Sequence, residues 1–279
     1  MKIKLICDSL CDTPKELIEK YDIDVVPLNI ILGDSEYKEG IDISNEEFYK
    51  RMKEKMEVPK TSQATYIQFK EVFDKYKDDY SIVCINGSSK SSGTYQSAVM
   101  AKNDTEGDIH VFDTLTLSLG SAQFIVKACE LIEENNQITA KELIEELEKI
   151  RTSVSLLFVP DTLEYLQRSG RASLATATIG NMLKIKPIFT VEDAKIFILT
   201  KVRGKKHAIN ELIKLMTEKY DTLEDKNMII GCGDNVEDFE KLKEEFNKKI
   251  KCKQLYFTRG GACICSHTGP DIFAISCSY

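Results

Sequence analysis

The segment with the clearest chemical potential is a serine- and glycine-rich loop, Asn86 to Ala98, which reads Asn-Gly-Ser-Ser-Lys-Ser-Ser-Gly-Thr-Tyr-Gln-Ser-Ala. It follows the apolar run Ile82 to Ile85 and leads into residues that accept helical geometry, which predicts a buried strand, a tight loop and a helix start. The first turn of a helix has unpaired N–H donors and the positive end of the helix dipole, so an anionic group gains hydrogen bonds and favourable charge there. The loop therefore predicts an anion site. Serine and glycine are also typical of a helix cap that binds no ligand.

A second hydroxyl-rich segment, Lys60-Thr61-Ser62-Gln63-Ala64-Thr65, follows Pro59 and precedes a run with helical apolar spacing. This pattern predicts that Thr61 and Ser62 lie at or just before a helix start. Two further polar pairs, Asp8-Ser9 and Asp113-Thr114, each follow a short apolar run typical of a strand. Because ligands of parallel sheets bind where loops leave the carboxyl ends of the strands, all four polar segments could line one edge.

The elements that would position these segments alternate between strand and helix in the N-terminal half. Strands are predicted at Ile3 to Cys7, Val25 to Leu32, Ile82 to Ile85 and His110 to Phe112. Capping boxes that open helices are predicted at Thr13-Pro14-Lys15-Glu16, Ser44-Asn45-Glu46-Glu47 and Thr139-Ala140-Lys141-Glu142, and a longer helix at about 118–134. This alternation predicts a mostly parallel sheet with helices on both faces.

The pattern changes near Arg151 to Ser153, where we place a domain boundary. Six candidate strands follow it, at Val154 to Val159, Ile185 to Val191, Lys195 to Val202, Met228 to Cys232, Cys252 to Thr258 and Ile272 to Ser278. Only Glu192-Asp193-Ala194 separates the second from the third, which predicts a hairpin and a partly antiparallel sheet. Asp161 is expected to cap a helix that ends at Gly170. The sequence thus predicts two α/β domains, 1–152 with a mostly parallel, Rossmann-like sheet and 153–279 with a six-stranded, partly antiparallel sheet.

The composition is that of an ordinary globular protein and argues against several classes of function. The chain has 279 residues, of which 42% are hydrophobic, enough for a sizeable core. Its formal net charge of -7 argues against a nucleic-acid surface. The nine cysteines include no Cys-x-x-Cys pair, which favours reduced cytoplasmic thiols over disulfides or a zinc site. No apolar run approaches the roughly 18 to 20 residues that span a bilayer. We therefore expect a cytoplasmic protein with no metal, no nucleic-acid partner and no integral membrane segment.

Five motifs, taken together and in this order, resemble the DegV family. They are Thr61-Ser62-Gln63, Ser92-Gly93-Thr94-Tyr95-Gln96-Ser97-Ala98, Asp161-Thr162-Leu163-Glu164-Tyr165-Leu166 with Ser169-Gly170-Arg171, Lys186-Pro187-Ile188, and His267-Thr268-Gly269-Pro270. The resemblance covers the whole chain and implies the two-domain DegV fold. Because the family contains the fatty acid-binding subunits of bacterial fatty acid kinase, it implies a protein that holds one long-chain fatty acid. A separate kinase catalytic subunit would phosphorylate the carboxylate to an acyl phosphate that feeds phospholipid synthesis.

The resemblance also implies which residues bind the carboxylate. Thr61 and Ser92 would donate from their hydroxyls, helped by backbone N–H groups around Ser62 and Gly93, and His267 would donate from the facing domain. Helix capping is the simpler role for Thr61 and Ser92, and a lone histidine is usually structural. Candidates for the apolar tunnel are Ile179, Met182, Leu183 and Ile188.

Two arginines are candidates for kinase docking or phosphotransfer support. Arg171 follows Gly170, and Arg203 begins the basic segment Arg203-Gly204-Lys205-Lys206-His207. The resemblance places both near the exposed carboxylate, where a transferring phosphoryl group needs positive charge. A solvated surface cation is the alternative for each.

The sequence departs from the family pattern at Asp271 and Ala274, where glycines are usual, and at Ser169-Gly170-Arg171-Ala172. A missing glycine can change how closely the backbone approaches a pocket. No Gly-x-x-x-x-Gly-Lys-Ser/Thr or Gly-x-Gly-x-x-Gly motif indicates a nucleotide site, so we expect no catalytic residue and no cofactor. Two alternatives stay open. One is a phosphotransferase or hydrolase that uses the Ser92 loop as an anion hole, and the other is a lipid-sensing regulatory module.

Overall fold

Strands and helices alternate along most of the N-terminal half, as predicted, except that three strands follow the first α-helix and two helices follow the last strand of this half. The computed structural model describes residues 2–54, 57–170 and 185–278. The strands are β1 (Lys2–Asp8), β2 (Asp24–Val26), β3 (Asn29–Leu32), β4 (Ser35–Lys38), β5 (Lys60–Ser62), β6 (Tyr80–Asn86) and β7 (Ile109–Asp113). The α-helices are α1 (Lys15–Tyr21), α2 (Asn45–Glu54), α3 (Tyr66–Tyr76), α4 (Thr94–Asn103), α5 (Leu119–Glu134) and α6 (Ala140–Ile150).

Four of these strands form a parallel sheet in the order β2-β1-β6-β7, which confirms the predicted sheet type. All residues of β6 after Tyr80 are buried, as is typical of a central strand covered on both faces. At the carboxyl edge, Asn86 pairs with Asp113, and Asn86 Nδ2 donates to Asp8 Oδ2 at 3.0 Å. The polar strand ends therefore do meet at one edge.

The single strand predicted over Val25 to Leu32 is wrong, because two strands of different sheets occupy this region. β2 ends at Val26 and joins the parallel sheet, whereas β3 starts at Asn29 and is the middle strand of an antiparallel sheet in the order β4-β3-β5. Pro27 lies at the break, where a residue without an N–H cannot continue a ladder. We call β4-β3-β5 the small sheet.

The small sheet also corrects the position of Thr61 and Ser62. Both lie in β5, and Thr61 pairs with Ile30 of β3. The next helix, α3, begins at Tyr66, and its cap is Thr65, which forms a capping box with Gln68. Thr61 is therefore no helix cap.

Two other predicted caps are wrong in detail. The first turn of α1 has Pro14 at the N-cap position and no side-chain cap from Thr13. Asp161 caps no helix, because its carboxylate pairs instead with Lys186 at 2.8 Å and Lys205 at 3.3 Å. The Thr139 capping box, by contrast, is confirmed.

The C-terminal half contains the six predicted strands, each within two residues of its expected bounds. They are β8 (Ser155–Pro160), β9 (Ile185–Glu192), β10 (Lys195–Arg203), β11 (Asn227–Cys232), β12 (Gln254–Arg259) and β13 (Ile272–Cys277). The described helices here are α7 (Glu164–Ser169), α8 (Lys205–Lys219), α9 (Val236–Lys249) and α10 (Ala262–Thr268). The sheet has the order β10-β9-β8-β13-β11-β12, and only β11 and β12 run parallel, so it is mixed as predicted.

This six-stranded sheet separates two apolar clusters. On one face, Leu156 and Phe158 join a cluster that contains the core of the N-terminal half. On the other face, Leu157 and Val159 pack with α8 and α9. The division into domains at residues 152 and 153 stays a prediction, since one cluster draws residues from both halves. The face that bears Leu156 and Phe158 is the one turned toward the polar loops.

Candidate functional site

A cavity of about 380 Å³ lies between the polar loops of the N-terminal half and the inner face of the six-stranded sheet. Its polar lining consists of Thr61, Ser62, Gln63, Ser91, Ser92, Ser118, His267 and Thr268. Apolar side chains cover the remaining wall, among them Leu10, Leu117, Leu156, Phe158, Leu166, Val191, Ile196 and Ile272. The cavity thus combines a cluster of hydroxyl and imidazole groups with a predominantly hydrophobic surface, which is typical of ligand pockets.

All five residues predicted to bind a carboxylate line this cavity: Thr61, Ser62, Ser92, Gly93 and His267. They come from three separate elements, namely β5, the loop before α4, and the last turn of α10. The structure therefore brings the predicted set together. The role of the set in binding a carboxylate stays a prediction.

Thr61 and His267 are in direct contact across the cavity wall. Thr61 Oγ1 lies 2.9 Å from His267 Nε2, and both residues are half-buried. If Nε2 carries the proton, it donates to Thr61 Oγ1, and the threonine O–H is then directed elsewhere. The contact can therefore orient a hydroxyl donor toward the cavity.

Ser92 belongs to a short chain of hydrogen bonds that determines what its hydroxyl can do. Ala64 N donates to Thr94 Oγ1 at 3.2 Å, and Thr94 Oγ1 lies 2.8 Å from Ser92 Oγ. Ser92 Oγ also accepts from Thr94 N at 3.2 Å. If the Thr94 hydroxyl donates to Ser92, both lone pairs of Ser92 Oγ are used. The Ser92 proton then remains available as a donor to a cavity ligand.

The loop before α4 contributes fewer open backbone donors than its sequence suggested. Ser91 N and Ser92 N both donate to Ser88 O at 3.1 Å, and Ser89 N donates to Asp113 Oδ1 at 3.1 Å. Lys90 N donates to Ser88 Oγ at 3.1 Å. The expectation of free N–H groups is therefore wrong for these residues, because the loop uses its donors to hold its own shape. Side-chain hydroxyls are the groups that face the cavity.

Gly93 is required for space rather than for backbone conformation. Its φ of -72° is open to any residue, but a Cβ at this position would lie 1.8 Å from Gln63 Oε1. Gln63 in turn donates from Nε2 to Ser97 Oγ at 3.0 Å. The absence of a side chain at Gly93 thus allows β5 and α4 to approach each other beside the cavity.

Asp8 anchors the start of the serine- and glycine-rich loop through its side-chain carboxyl group. It is fully buried and accepts hydrogen bonds from Gly87 N at 3.1 Å and Leu10 N at 3.0 Å, in addition to Asn86 Nδ2. Burial raises the pKa of the Asp8 carboxyl to about 6. Asp113 likewise accepts from Leu115 N at 3.0 Å, so both aspartates shape loops, as expected for strand-end residues.

The predicted arginine pair and tunnel residues are only partly placed. Arg171 and the tunnel candidates Ile179, Met182 and Leu183 lie outside the described residues. Ile188 faces the opposite side of the sheet, in the cluster with α8 and α9, so its assignment to the tunnel is wrong. Val191, three positions later and on the other face of β9, lines the cavity instead.

Arg203 is exposed at the end of β10 and is not a lining residue of the cavity. It pairs in register with Ile185, beside Lys186, whose Nζ donates to the carbonyl of Asp161 at 2.6 Å. Asp161 N donates to Asp271 O at 2.7 Å, four residues after His267. Arg203 therefore lies at the same end of the sheet as the start of β13, where the chain arrives from α10.

Asp271, at a position where the family usually has glycine, forms an ion pair between the two halves. Its Oδ1 lies 2.8 Å from Lys53 Nζ on α2. Lys53 also pairs with Asp234 at 3.0 Å. The aspartate thus adds a contact between the two halves just before β13 begins.

Sequence reasoning missed several residues of the site. Ser118 and Cys263 line the cavity, and Thr94 and Gln63 support its walls. Thr94 and Gln63 adjoin predicted site residues, so their positions in the two motifs were the available signal. Ser118 and Cys263 had none, because their approach depends on how α5 and α10 pack.

Across residues 2–54, 57–170 and 185–278, no group of three or more His, Cys, Asp or Glu side chains is arranged to hold a metal ion. Within those same ranges, no helix has the length and apolar character that crossing a membrane requires.

Comparison with known proteins gives the family. The model of the DegV family, described as "Uncharacterised protein, DegV family", matches residues 2–279. A DegV domain-containing protein of Caldanaerobacter subterraneus subsp. tengcongensis is 34% identical over 272 residues, which are 97% of this chain and 96% of that protein.

Solved structures agree in fold over the full length. A protein of Thermotoga maritima described as a DegV lipid-binding protein superposes with a TM-score of 0.90 at 31% identity, covering 100% of this chain and 98% of the other. A DegV family protein of Thermus thermophilus, described by its fatty acid binding, superposes with a TM-score of 0.90 at 27% identity, covering 100% and 99%. With a family model matched along nearly its whole length and the fold shared with these structures, the chain is a member of the DegV family.

Proposed function

We propose that the protein binds one long-chain fatty acid in the cavity and presents its carboxylate to a separate kinase subunit. The kinase would transfer the γ-phosphoryl group of ATP to a carboxylate oxygen, releasing ADP and an acyl phosphate for phospholipid synthesis. The observation that carries this proposal is the composition of the cavity wall: the hydroxyl and imidazole cluster of Thr61, Ser92 and His267 beside a largely apolar surface. Fatty acid binding by DegV structures of the same fold supports it.

The apolar wall supplies the affinity for the acyl chain. Burial of each CH₂ group is worth about 0.8 kcal/mol, so a long chain gains most of its binding free energy from contact with residues such as Leu156, Phe158 and Ile196. A carboxylate that is desolvated without compensation would offset much of this gain. The polar cluster provides that compensation.

Three side chains would bind the carboxylate. Ser92 Oγ accepts two hydrogen bonds from Thr94, so its own O–H can donate to the carboxylate. Thr61 Oγ1 accepts from His267 Nε2–H, so its O–H can donate as well. A neutral His267 uses its single N–H on Thr61 and acts through that hydroxyl, whereas a protonated ring would add positive charge beside the carboxylate. Hydrogen bonds to a charged acceptor are stronger than those between neutral groups, so this set favours the ionised acid.

Support for kinase docking comes from the basic end of β10. Arg203 is exposed there, next to Lys205 and Lys206 on α8. A transferring phosphoryl group is stabilised by nearby cations, and Arg171 would join this surface as the family resemblance implies. The proposal therefore assigns Arg203 to the kinase-facing side and the serine loop to ligand binding.

The experiment is a reconstitution with delipidated protein, an added long-chain fatty acid, ATP and a fatty acid kinase catalytic subunit. We expect acyl phosphate only when protein, fatty acid and kinase are all present. His267→Ala should lower its yield strongly, whereas His110→Ala, a histidine on β7 away from the cavity, should not. Arg203→Ala should lower the yield while leaving fatty acid affinity unchanged.

Two outcomes would contradict the proposal. Turnover by the purified protein alone would favour a phosphotransferase or hydrolase that uses the Ser92 loop as an anion hole. Tight fatty acid binding without acyl phosphate formation would favour a lipid-sensing module and remove the kinase role.

A further inference from the structure

The seven-residue helix α10 is held at both ends by the N-terminal half of the chain. At its start, Glu39 Oε1 accepts from Cys263 N at 2.8 Å, and Asp12 Oδ1 accepts from Gly261 N at 2.7 Å. At its end, His267 Nε2 lies 2.9 Å from Thr61 Oγ1. Two of these attachments, through Glu39 and Thr61, belong to one structural unit.

That unit is the small sheet. Thr61 of β5 pairs with Ile30 of β3, and β4, which leads into Glu39, pairs with the other side of β3. Glu39 N also donates to Leu28 O at 3.0 Å, just before β3. The hydrogen-bonded ladder therefore fixes the separation between the Glu39 carboxylate and the Thr61 hydroxyl. The small sheet binds α10 at two residues, Cys263 and His267, which are about one helical turn apart.

The attachment at the start of α10 is deeply buried and closely fitted. Glu39 and Asp12 are 7% exposed each. A Cβ on Gly261 would lie 2.4 Å from Glu39 Oε1 and 3.0 Å from Asp12 Oδ1, so the two carboxylates reach the helix only because residue 261 is glycine. Asp12 Oδ2 accepts from Ser118 Oγ, and Tyr49 Oη donates to Gly260 O.

We propose that Glu39 is a positioning residue for the carboxylate-binding cluster: it anchors the first turn of α10 to the small sheet and so fixes His267 at hydrogen-bonding distance from Thr61. Asp12 supports the same turn from the loop after β1. This inference rests on the proposed function, because it assigns Glu39 a role through His267 and not through contact with the ligand.

The physical reason is geometric. The hydrogen bond from Cys263 N to Glu39 Oε1 is buried and directional, and its loss leaves the first turn of a short helix free to shift against the sheet. Cys263 and His267 are four residues apart in α10, which is about one helical turn. Because a single turn moves as a rigid unit, a shift at Cys263 also displaces His267. Small misplacements of a binding group lower its contribution steeply.

The test is a double-mutant cycle on the full-length, delipidated protein titrated with a long-chain fatty acid. Glu39→Ala should weaken affinity about tenfold, comparable to the loss of one buried hydrogen bond, whereas Glu39→Gln, which keeps an acceptor oxygen, should stay within about threefold. In the His267→Ala background, Glu39→Ala should add no further loss. Tyr220→Phe removes a buried hydroxyl contact at the far end of the sheet and controls for general destabilisation.

A second measurement does not depend on fatty acid binding. The ¹H–¹⁵N spectrum of the His267 imidazole, recorded without ligand, should change in Glu39→Ala and be retained in Glu39→Gln. An unchanged imidazole spectrum in Glu39→Ala, or an equal loss of affinity with and without His267, would overturn the positioning role. If wild type and His267→Ala both fail to bind fatty acid while the spectrum responds as expected, the proposed function fails and the positioning of His267 stands.

Discussion

Thr61 Oγ1 and His267 Nε2 lie 2.9 Å apart although 206 positions separate the two residues in the chain. The contact joins β5 of the small sheet to the last turn of α10, and both residues line the same cavity. It is the point at which polar groups from the two halves of the chain meet beside an apolar surface.

Thr61→Val should weaken fatty acid affinity, because it removes the hydroxyl that donates to the carboxylate. The valine keeps the branched shape of threonine, so β5 should accommodate it without a change in fold. We expect a loss of about 10- to 150-fold, the range for one hydrogen bond to a charged group, measured by titration of delipidated protein. Thr61→Ser should restore most of the affinity, since it keeps the hydroxyl. Equal affinities for Thr61→Val and wild type would remove Thr61 from the carboxylate site.

Thr94→Val should weaken binding although Thr94 is fully buried and reaches the ligand only through Ser92. Without the Thr94 hydroxyl, Ser92 loses the donor that leaves its own proton for the ligand. We expect a loss of about three- to tenfold, and no additional loss when Thr94→Val is combined with Ser92→Ala. Thr217→Val, on the outer face of α8, is the matched control. Additive losses would show that Thr94 acts independently of Ser92.

Gly93→Ala should cost stability through its collision with Gln63, and removal of the Gln63 side chain should relieve the cost. The new Cβ displaces an exposed, flexible amide from its bond with Ser97, so we expect a loss of about 1 kcal/mol in the free energy of unfolding. The double variant Gly93→Ala/Gln63→Ala should be more stable than Gly93→Ala alone in chemical denaturation. If it is not, the requirement for glycine has another cause.

The free energy of unfolding should fall as pH rises from about 4.5 to 8. Burial raises the pKa of Asp8 to about 6, of Glu39 to about 7 and of Asp12 to about 8, whereas the usual values are 3.8 and 4.5. A carboxyl whose pKa is higher in the folded state stabilises the fold at low pH, and that contribution is lost as pH rises from the unfolded to the folded pKa. Carboxyls whose pKa is lowered in the folded state, such as Asp22, change the free energy of unfolding only below about pH 4, outside this pH range.

Asp12→Asn isolates one part of this pH dependence. Asparagine keeps an oxygen acceptor for Gly261 N, and its amide can donate to Ser118 Oγ. The slope of unfolding free energy against pH should therefore become smaller in Asp12→Asn, with the exposed Asp22→Asn as the control that leaves it unchanged. A slope equal to that of wild type would contradict the protonation of Asp12 within this range.

Much of the fold was predictable because it depends on local patterns. The six C-terminal strands, the parallel sheet and the helix that follows Gly93 all follow from apolar runs and turn residues. The small sheet was not predictable, because its ladder pairs β3 with strands on either side of α2, and no local signal specifies that pairing. Thr61 therefore lines the cavity together with the other predicted residues, but it lies in a strand and not at a helix start.

The sequence predicted five residues that do line one cavity, but it did not predict how their hydrogen-bond donors are used. Motif resemblance singled out Thr61, Ser92 and His267. It did not predict that Ser88 and Asp113 accept hydrogen bonds from the N–H groups of the loop, because those contacts depend on how the chain turns after β6. The carboxylates of Asp12 and Glu39 read as ordinary polar residues in sequence. Only packing against Gly261 makes them buried anchors of α10.

Native mass spectrometry of the purified protein, followed by denaturing extraction, tests the central claim most directly. We expect a mass increment equal to one long-chain fatty acid, which is released on denaturation and identified in the extract. The increment should be reduced in His267→Ala and kept in His110→Ala. A protein that carries no lipid, and that takes up none when a series of long-chain fatty acids is supplied, would contradict the account.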